Sequence, residues 1–392
     1  MGRQCTVIVL DSVGIGEAPD AREYGDVGAD TLGHIAQSQG GLRLPNLQRL
    51  GLGNIRHDDP LLGCAPVASP TAAWGKMQET ALGKDTASGH WEFMGLVIEH
   101  AFQVFPEGFP EALIQQFLTA TGAPGFLGGM PASGTQIIEE LGAEHMRTGA
   151  PIIYTSADPV FQVAAHEDVV PLATLERWCE AFFPYALAAG LSRVISRPFV
   201  GSAEAGFTRT GNRHDWAYPP PKPTILDELA SGGIRTLGIG KIASIYSGQG
   251  IAESLPTKNN HEGIEATLRA MRARSHDFVF TNLVDFDSSF GHRRDPAGYH
   301  RCLQEFDARL PELLASLEPE DLLIITADHG NDPTYRGTDH TREFVPLLAV
   351  GPGLAGKALG VRAGFADVGK TVAAYFGVEV ANPLGTSFWP VG

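Results

Sequence analysis

The chain has 392 residues, 43% of them hydrophobic, enough to bury a full core without covalent staples. A formal net charge of −16, from 29 basic and 45 acidic residues, disfavours nucleic acid and anionic membrane surfaces as partners. Four scattered cysteines with no C-x-x-C pair, no apolar run of membrane-spanning length and no stretch that reads as a secretory leader make a reducing cytoplasm the expected setting.

The first element is Val7-Ile8-Val9-Leu10, an aliphatic, β-branched run that reads as a strand buried on both faces and ends in Asp11. A carboxylate at such an exit lies at the carboxyl edge of the sheet, where open α/β proteins bind their ligands. Gly14-Ile15-Gly16 hints at a dinucleotide loop, but Pro19 stands where its third glycine belongs, which excludes NAD. Gly83-Lys84-Asp85-Thr86-Ala87-Ser88-Gly89-His90 reads as a small-residue turn opening a helix, hence an anion site of unpaired backbone N–H groups. Thr86 is placed there as a nucleophile, although local sequence alone favours Asp85, Thr86 or Ser88 as a plain N-cap.

Further acidic runs of this kind recur only beyond residue 275, so the sheet edge is assembled from both ends of the chain. Residues 99–221 therefore read as a domain inserted between core segments 1–98 and 222–392. Within it, Glu111–Leu118 and Leu175–Ala188 read as helices, and Pro151–Thr155 and Arg193–Arg197 as strands, giving a small α+β cap. Pro219-Pro220-Pro221-Lys222-Pro223 is its stiff border. The insert carries Ser156, Asp158, Arg193, Arg197, Arg209 and Arg213, and Lys241 follows the strand-like Thr236–Ile239. Such cations in an acidic protein read as a clamp for a substrate phosphate, against the plainer alternative that about half are solvated or paired with acids.

The second ligand run is Phe280-Thr281-Asn282-Leu283-Val284-Asp285-Phe286-Asp287, followed by His292. The third is Leu322-Leu323-Ile324-Ile325-Thr326-Ala327-Asp328-His329, followed by His340. Between them Leu303, Phe306, Leu310, Leu313, Leu314 and Leu317 share a helical face, with a kink expected at Pro311. Strand, helix and strand make a βαβ unit, so the fold class is α/β with a largely parallel sheet flanked by helices. Asp285 opens a segment like an EF-hand loop, but Gly291 falls at the seventh place and Pro296 at the twelfth, which rules it out. Any one of Asp11, Asp287, His292, Asp328, His329 and His340 reads equally as a cap or a surface residue. Together at one sheet edge they are a mixed oxygen and nitrogen set for two divalent metals, suited to manganese or zinc rather than calcium.

The segment Asp11–Asp20 resembles the opening of bacterial phosphopentomutases, as do Gly83–Gly95, Phe102–Pro110, Tyr154–Asp158, Asn212–Asp215, Val284–Asp295 and Thr326–Glu343. The likeness spans nearly the whole chain. It implies a core of alkaline phosphatase type, two Mn²⁺ per chain, and interconversion of ribose 1-phosphate and ribose 5-phosphate or their deoxy forms. By residue match, Asp11, Asp328 and His329 would hold one metal beside Thr86, and Asp287, His292 and His340 the other. Thr86 would carry phosphate, with a sugar bisphosphate (ribose 1,5-bisphosphate or glucose 1,6-bisphosphate) as activator. Ser156, Asp158, Arg193, Arg209 and Lys241 would meet small pentose phosphates. The rivals are a phosphoglycerate mutase, phosphatase or sulfatase on the same core, and an inactive phosphosugar-binding protein. The related cofactor-independent phosphoglycerate mutases resemble a serine pattern where Thr86 stands, and an intact ligand set argues against an inactive binder.

Overall fold

In the computed structural model, which describes residues 2–99, 102–156 and 158–390, the three ligand-bearing runs become three adjacent strands. Cys5–Leu10 lies between Phe278–Leu283 and Leu322–Thr326 and is parallel to both, with Leu10 opposite Leu283 and Val9 opposite Thr326. All three are buried along their length, as unbroken apolar runs require of strands covered on both faces. Parallel pairing sends their carboxyl ends to one edge, so the residues just beyond them meet there.

These strands belong to a unit made of Met1–Glu99 and Pro219–Gly392; a second unit spans His100–Tyr218. The sheet of the first unit runs in the order Glu253–Leu255, Thr236–Ile239, Phe278–Leu283, Cys5–Leu10, Leu322–Thr326, Val345–Val350, Ala73–Met77, Ala358–Arg362. Helix Asn260–Ala273 packs on it through Ala266 and Ala270, against Leu237, Ile239 and Val279. The sheet is mixed, because Val345–Val350 runs antiparallel to both its neighbours. No helix intervenes between Thr326 and Val345, and a parallel return would need such a crossover.

Helix Pro296–Ala315 continues through Pro311. Proline lacks the N–H that would bond the carbonyl four residues back, at Asp307. The Asn46 side chain fills that vacancy, its Nδ2 donating to the Asp307 carbonyl at 2.9 Å. The Asp307 carboxylate meanwhile accepts the backbone N–H groups of Asn46 and Leu47.

In the second unit the sheet order is Leu127–Pro131, Ile152–Thr155, Val160–His166, Arg193–Ser202, Gly206–Arg209, with His214–Ala217 also pairing to Arg193–Ser202. Alternation along the strands sorts its core into two faces. Ile153, Phe161, Val163 and Val194 pack with helices Glu111–Thr121 and Leu172–Ala188, whereas Ile152, Tyr154, Ala164 and Phe199 pack with Gly134–Thr148. All four cysteines are free and buried, and among the described residues no helix is long and apolar enough to cross a membrane.

One buried histidine makes the second unit sensitive to acid. His145 Nδ1 donates to the Ala150 carbonyl at 2.7 Å, and its Nε2 accepts the His166 backbone N–H at 2.8 Å, which fixes a neutral ring. Burial lowers its pKa below the ordinary histidine value. The unfolded chain therefore takes up this proton first, and stability is lost as the pH falls below about 6.5. Urea unfolding followed by amide exchange in Gly134–Ser202 is expected to show a lower midpoint at pH 5.5 than at pH 7.5. The gap should narrow in His145→Gln, and an unchanged gap in the variant would assign the effect elsewhere.

Candidate active site

Asp11 is the first residue after its strand. Its Oδ2 accepts the Asn282 side chain at 3.2 Å and lies 3.6 Å from Lys241 Nζ. Asp328 is turned toward it by Ser12, whose backbone N–H donates to Asp328 Oδ1 at 3.0 Å. Ser12 holds a left-handed φ of 75° to do so, and its hydroxyl shares a hydrogen bond with Tyr299 Oη. A non-glycine residue strained in this way marks a site that the surrounding structure over-determines.

His329 Nε2 lies 3.4 Å from Asp11 Oδ1 and 3.5 Å from Asp328 Oδ2. Both oxygens are buried and face only imidazole rings, His329 for Asp11 Oδ1 and His329 with His90 for Asp328 Oδ2, with no hydrogen bond of good geometry. Burying carboxylate oxygens so poorly satisfied is costly, and a cation held between them removes the cost. These three side chains converge on a common point as metal ligands do, their donor atoms lying within 4.8 Å of one another.

A second group adjoins the first. Asp287 is not at its strand's exit; it sits in the π-helical turn Phe286–Gly291 that follows, which re-aims it toward the edge. Its Oδ2 lies 3.2 Å from His292 Nε2, its Oδ1 3.3 Å from His340 Nε2, and the two histidine nitrogens are 3.1 Å apart. His292 Nδ1 donates to the Thr338 carbonyl at 2.7 Å, which orients the ring so that Nε2 faces Asp287. Asn331 Nδ2 steadies Asp287 Oδ1 at 2.7 Å. The His329 and His340 rings lie 4.0 Å apart, and Asp287, His329 and His340 themselves form a group of ligand type.

The charges are mutually supporting. Burial would raise the Asp287 carboxyl, but His292 and His340 beside it hold it well below the usual carboxylate range. Burial would lower His329, but Asp328, Asp11 and Asp287 hold it well above the usual histidine value. These carboxylates keep His329 protonated unless another cation takes the proton's place. The donor set of three carboxylates and three imidazoles fits divalent cations.

Thr86 is the first residue of helix Thr86–Phe93, and Asp85 is its N-cap, accepting from the N–H groups of Ala87 and Ser88. The capping role thus falls to Asp85, leaving the Thr86 hydroxyl 3.3 Å from His329 Nε2. The helix N-terminus adds a field that favours an anion at that hydroxyl. A Cβ on Gly89 would run into the backbone carbonyl of Asp328, so only glycine lets this helix pack so closely. His90 lies within the same motif, but its part was not legible. Its Nδ1 donates to the Thr86 carbonyl at 2.8 Å and lies 3.0 Å from Asp328 Oδ2. The spacing of four residues on a helix starting at Thr86 is the signal that places it there.

The remaining candidates, Lys241 excepted, lie in the second unit. Arg193 Nη1 pairs with Asp215 at 3.2 Å, and Arg213 grips the same carboxylate through Nε and Nη2 at 2.5 and 2.6 Å. Arg197 Nε bonds Gln162 at 3.0 Å, and Arg209 Nη2 bonds the Tyr154 hydroxyl at 3.1 Å. Burial, with Arg213 and Arg209 close by, pushes Arg197 down to about 10, so it stays charged at neutral pH. Ser156 Oγ accepts the Asp158 backbone N–H at 3.3 Å. Asp215 therefore engages two of the four arginines. Nothing in the local sequence around Asp215 distinguishes it as their partner.

Residues 3–380 match the family model of the metalloenzyme superfamily. The chain is 53% identical over 381 residues to the phosphopentomutases of two Desulfitobacterium hafniense strains, DSM 10664 / DCB-2 and Y51, covering 96% of each protein. Among solved structures, the PH0037 protein of Pyrococcus horikoshii superposes with a TM-score of 0.50 at 13% identity, covering 97% of this chain and 99% of that one, which is a likeness of fold. With its mixed sheet flanked by helices the fold is alkaline-phosphatase-like, and the chain belongs to the phosphopentomutase family of the metalloenzyme superfamily.

Proposed function

We propose that the chain interconverts ribose 1-phosphate and ribose 5-phosphate, and their deoxy counterparts, by way of a phosphorylated Thr86. The observation that carries this is a threonine hydroxyl at a helix N-terminus, 3.3 Å from His329 and beside two adjoining Asp/His ligand groups. Its full-length likeness to phosphopentomutases supports the choice of substrate. Asp11, Asp328 and His329 would hold one divalent cation and Asp287, His292 and His340 the other, with Mn²⁺ as the expected ion. Bound there, two such cations act as Lewis acids that stabilise charge on the attacking and leaving oxygens of a phosphoryl group.

The chain's own residues do the rest. The phosphoryl group on Thr86 Oγ1 passes to the free hydroxyl of a bound pentose monophosphate: the Oγ1–P bond breaks, the sugar O–P bond forms, and the hydroxyl proton ends on Oγ1. The bisphosphate so formed returns its other phosphoryl group to Oγ1, which leaves the isomeric monophosphate and restores the enzyme. A sugar bisphosphate would charge an unphosphorylated Thr86 in the same way. Lys241, 38% exposed beside Asp11, is suited to meet a substrate oxygen. Ser156, Asp158, Arg193 and Arg209 of the second unit would supply contacts to the sugar and its non-reacting phosphate. Four unpaired cysteines fit a cytoplasmic setting.

Phosphorus NMR of the Mn²⁺-loaded protein with ribose 1-phosphate and glucose 1,6-bisphosphate tests the reading. Ribose 5-phosphate should accumulate without matching release of inorganic phosphate; release of inorganic phosphate at the rate of substrate loss would make the chain a phosphatase. Arg209→Ala should lower kcat/KM for the pentose phosphate by about 1.5–3 kcal/mol, the worth of a hydrogen bond to a charged group. Its slow hydrolysis of a small phosphate ester, which has no second phosphate to hold, should stay within about twofold of wild type, and equal losses on both would reject the clamp.

A further inference from the structure

Arg342 lies two residues beyond His340 and is 1% exposed. Its Nε donates to both oxygens of Asp20 at 3.2 and 3.1 Å, and its Nη2 to Asp20 Oδ2 at 2.9 Å and the Glu79 carbonyl at 2.8 Å. Its Nη1 meets Glu79 Oε2 at 2.8 Å, the Ala81 carbonyl at 2.8 Å and the Gly83 carbonyl at 2.9 Å. The guanidinium also lies over the Tyr24 ring, 4.7 Å from its centroid. Three of these acceptors are backbone carbonyls of the segment that delivers Thr86, the last of them three residues before it. A second staple joins the same two segments: Lys84 Nζ bonds Asp26 Oδ2 at 3.0 Å and lies 2.9 Å from Asp339 Oδ2, while Asp26 Oδ2 also accepts the Arg342 backbone N–H.

Stability alone does not account for this arrangement. A buried ion pair is expensive to desolvate, and apolar side chains of the same volume often stabilise a fold as well or better. The planar five-donor fork of arginine does what apolar packing does not: it fixes the positions of several carbonyls at once. From this geometry we infer that Arg342 is a positioning residue that sets the distance between the Thr86 hydroxyl and the ligand groups by clamping residues 79–83 to residues 339–342. The inference rests on the reading of Thr86 as the phosphate carrier. A displacement of ~1 Å at a reacting group is enough to cost roughly 100-fold in rate.

The test uses the full-length, Mn²⁺-loaded protein, with Arg342→Lys and, as a milder variant that leaves the arginine in place, Asp20→Asn. Phosphate incorporation from glucose 1,6-bisphosphate is followed by intact mass, alongside kcat and KM for ribose 1-phosphate, all per folded molecule, and metal content by elemental analysis. Arg342→Lys should slow phosphorylation of Thr86 and lower kcat by roughly 10- to 100-fold, with KM within about twofold and the metal content of wild type. Asp20→Asn should move the same way by a smaller factor, and it decides the matter should Arg342→Lys not fold. Wild-type rates per folded molecule in the variants would reduce Arg342 to a folding residue and overturn the inference. Loss of metal in step with activity would also overturn it, by assigning Arg342 to the metal ligands instead. If wild type itself takes up no phosphate at Thr86, the parent reading falls and the inference with it, an outcome visible in the control alone.

Discussion

Thr86→Ala is expected to fold, bind its divalent cations and substrate, and yet take up no phosphate. Thr86 is the first residue of its helix and Asp85 does the capping, so alanine costs the helix nothing there and leaves the cap hydrogen bonds in place. What is lost is the hydroxyl proposed to carry the transferred group. Turnover should fall by on the order of 10⁴-fold or more, the scale on which removal of a catalytic nucleophile acts. Intact mass after treatment with a sugar bisphosphate should show one added phosphate on wild type and none on the variant. Thr86→Ser, which keeps the hydroxyl, should be phosphorylated and retain measurable turnover. Mutase activity of wild-type size in Thr86→Ala would reject the phosphothreonine.

Removal of a proposed metal ligand should be nearly as severe. Asp287→Ala takes away the carboxylate that faces both His292 and His340, leaving two imidazole nitrogens 3.1 Å apart with no anion between them. The variant should bind one divalent cation fewer per chain and turn over on the order of 10³-fold more slowly, because the cation's stabilisation of transition-state charge is worth several kcal/mol. Asp287→Asn is the cleaner comparison, since it preserves the volume and the contact with Asn331 while removing the charge. Elemental analysis and thermal melting, each with and without added Mn²⁺, separate loss of metal from loss of fold. In wild type, Mn²⁺ should raise the melting temperature, since a ligand that binds only the folded state stabilises it. In either variant that rise should shrink. Full metal content with turnover within tenfold of wild type would remove Asp287 from the ligand set.

The strands that build the site were legible because burial on both faces writes itself as an unbroken apolar run, and the acids and histidines that follow are local to those runs. Parallel pairing of the three strands then brings the six residues to one edge. The second rank of the site was not legible, because its members owe their roles to proximity in space. Asn331 and Asn282 are ordinary polar residues until folding sets them against Asp287 and Asp11. Arg342 looks like one more surface cation beside His340, yet it is among the most buried side chains in the chain. The antiparallel strand Val345–Val350 was missed for a related reason: its direction follows from a helix that is absent, and an absent crossover leaves no periodic signal. The arginine cluster was legible as a group, but its pairing with acids was not. Arg193 and Arg213 share Asp215, a pairing set by strand register within the second unit.

In the proposed reaction the phosphate on Thr86 is the phosphate that appears on the sugar. Protein charged with radiolabelled phosphate from a bisphosphate, freed of excess reagent and mixed with ribose 5-phosphate in Mn²⁺ tests it in a single turnover. Label should leave the protein for a pentose bisphosphate and then a pentose monophosphate, no more slowly than steady-state turnover. Label that stays on the protein, or leaves only as inorganic phosphate while ribose 1-phosphate still forms, would contradict it.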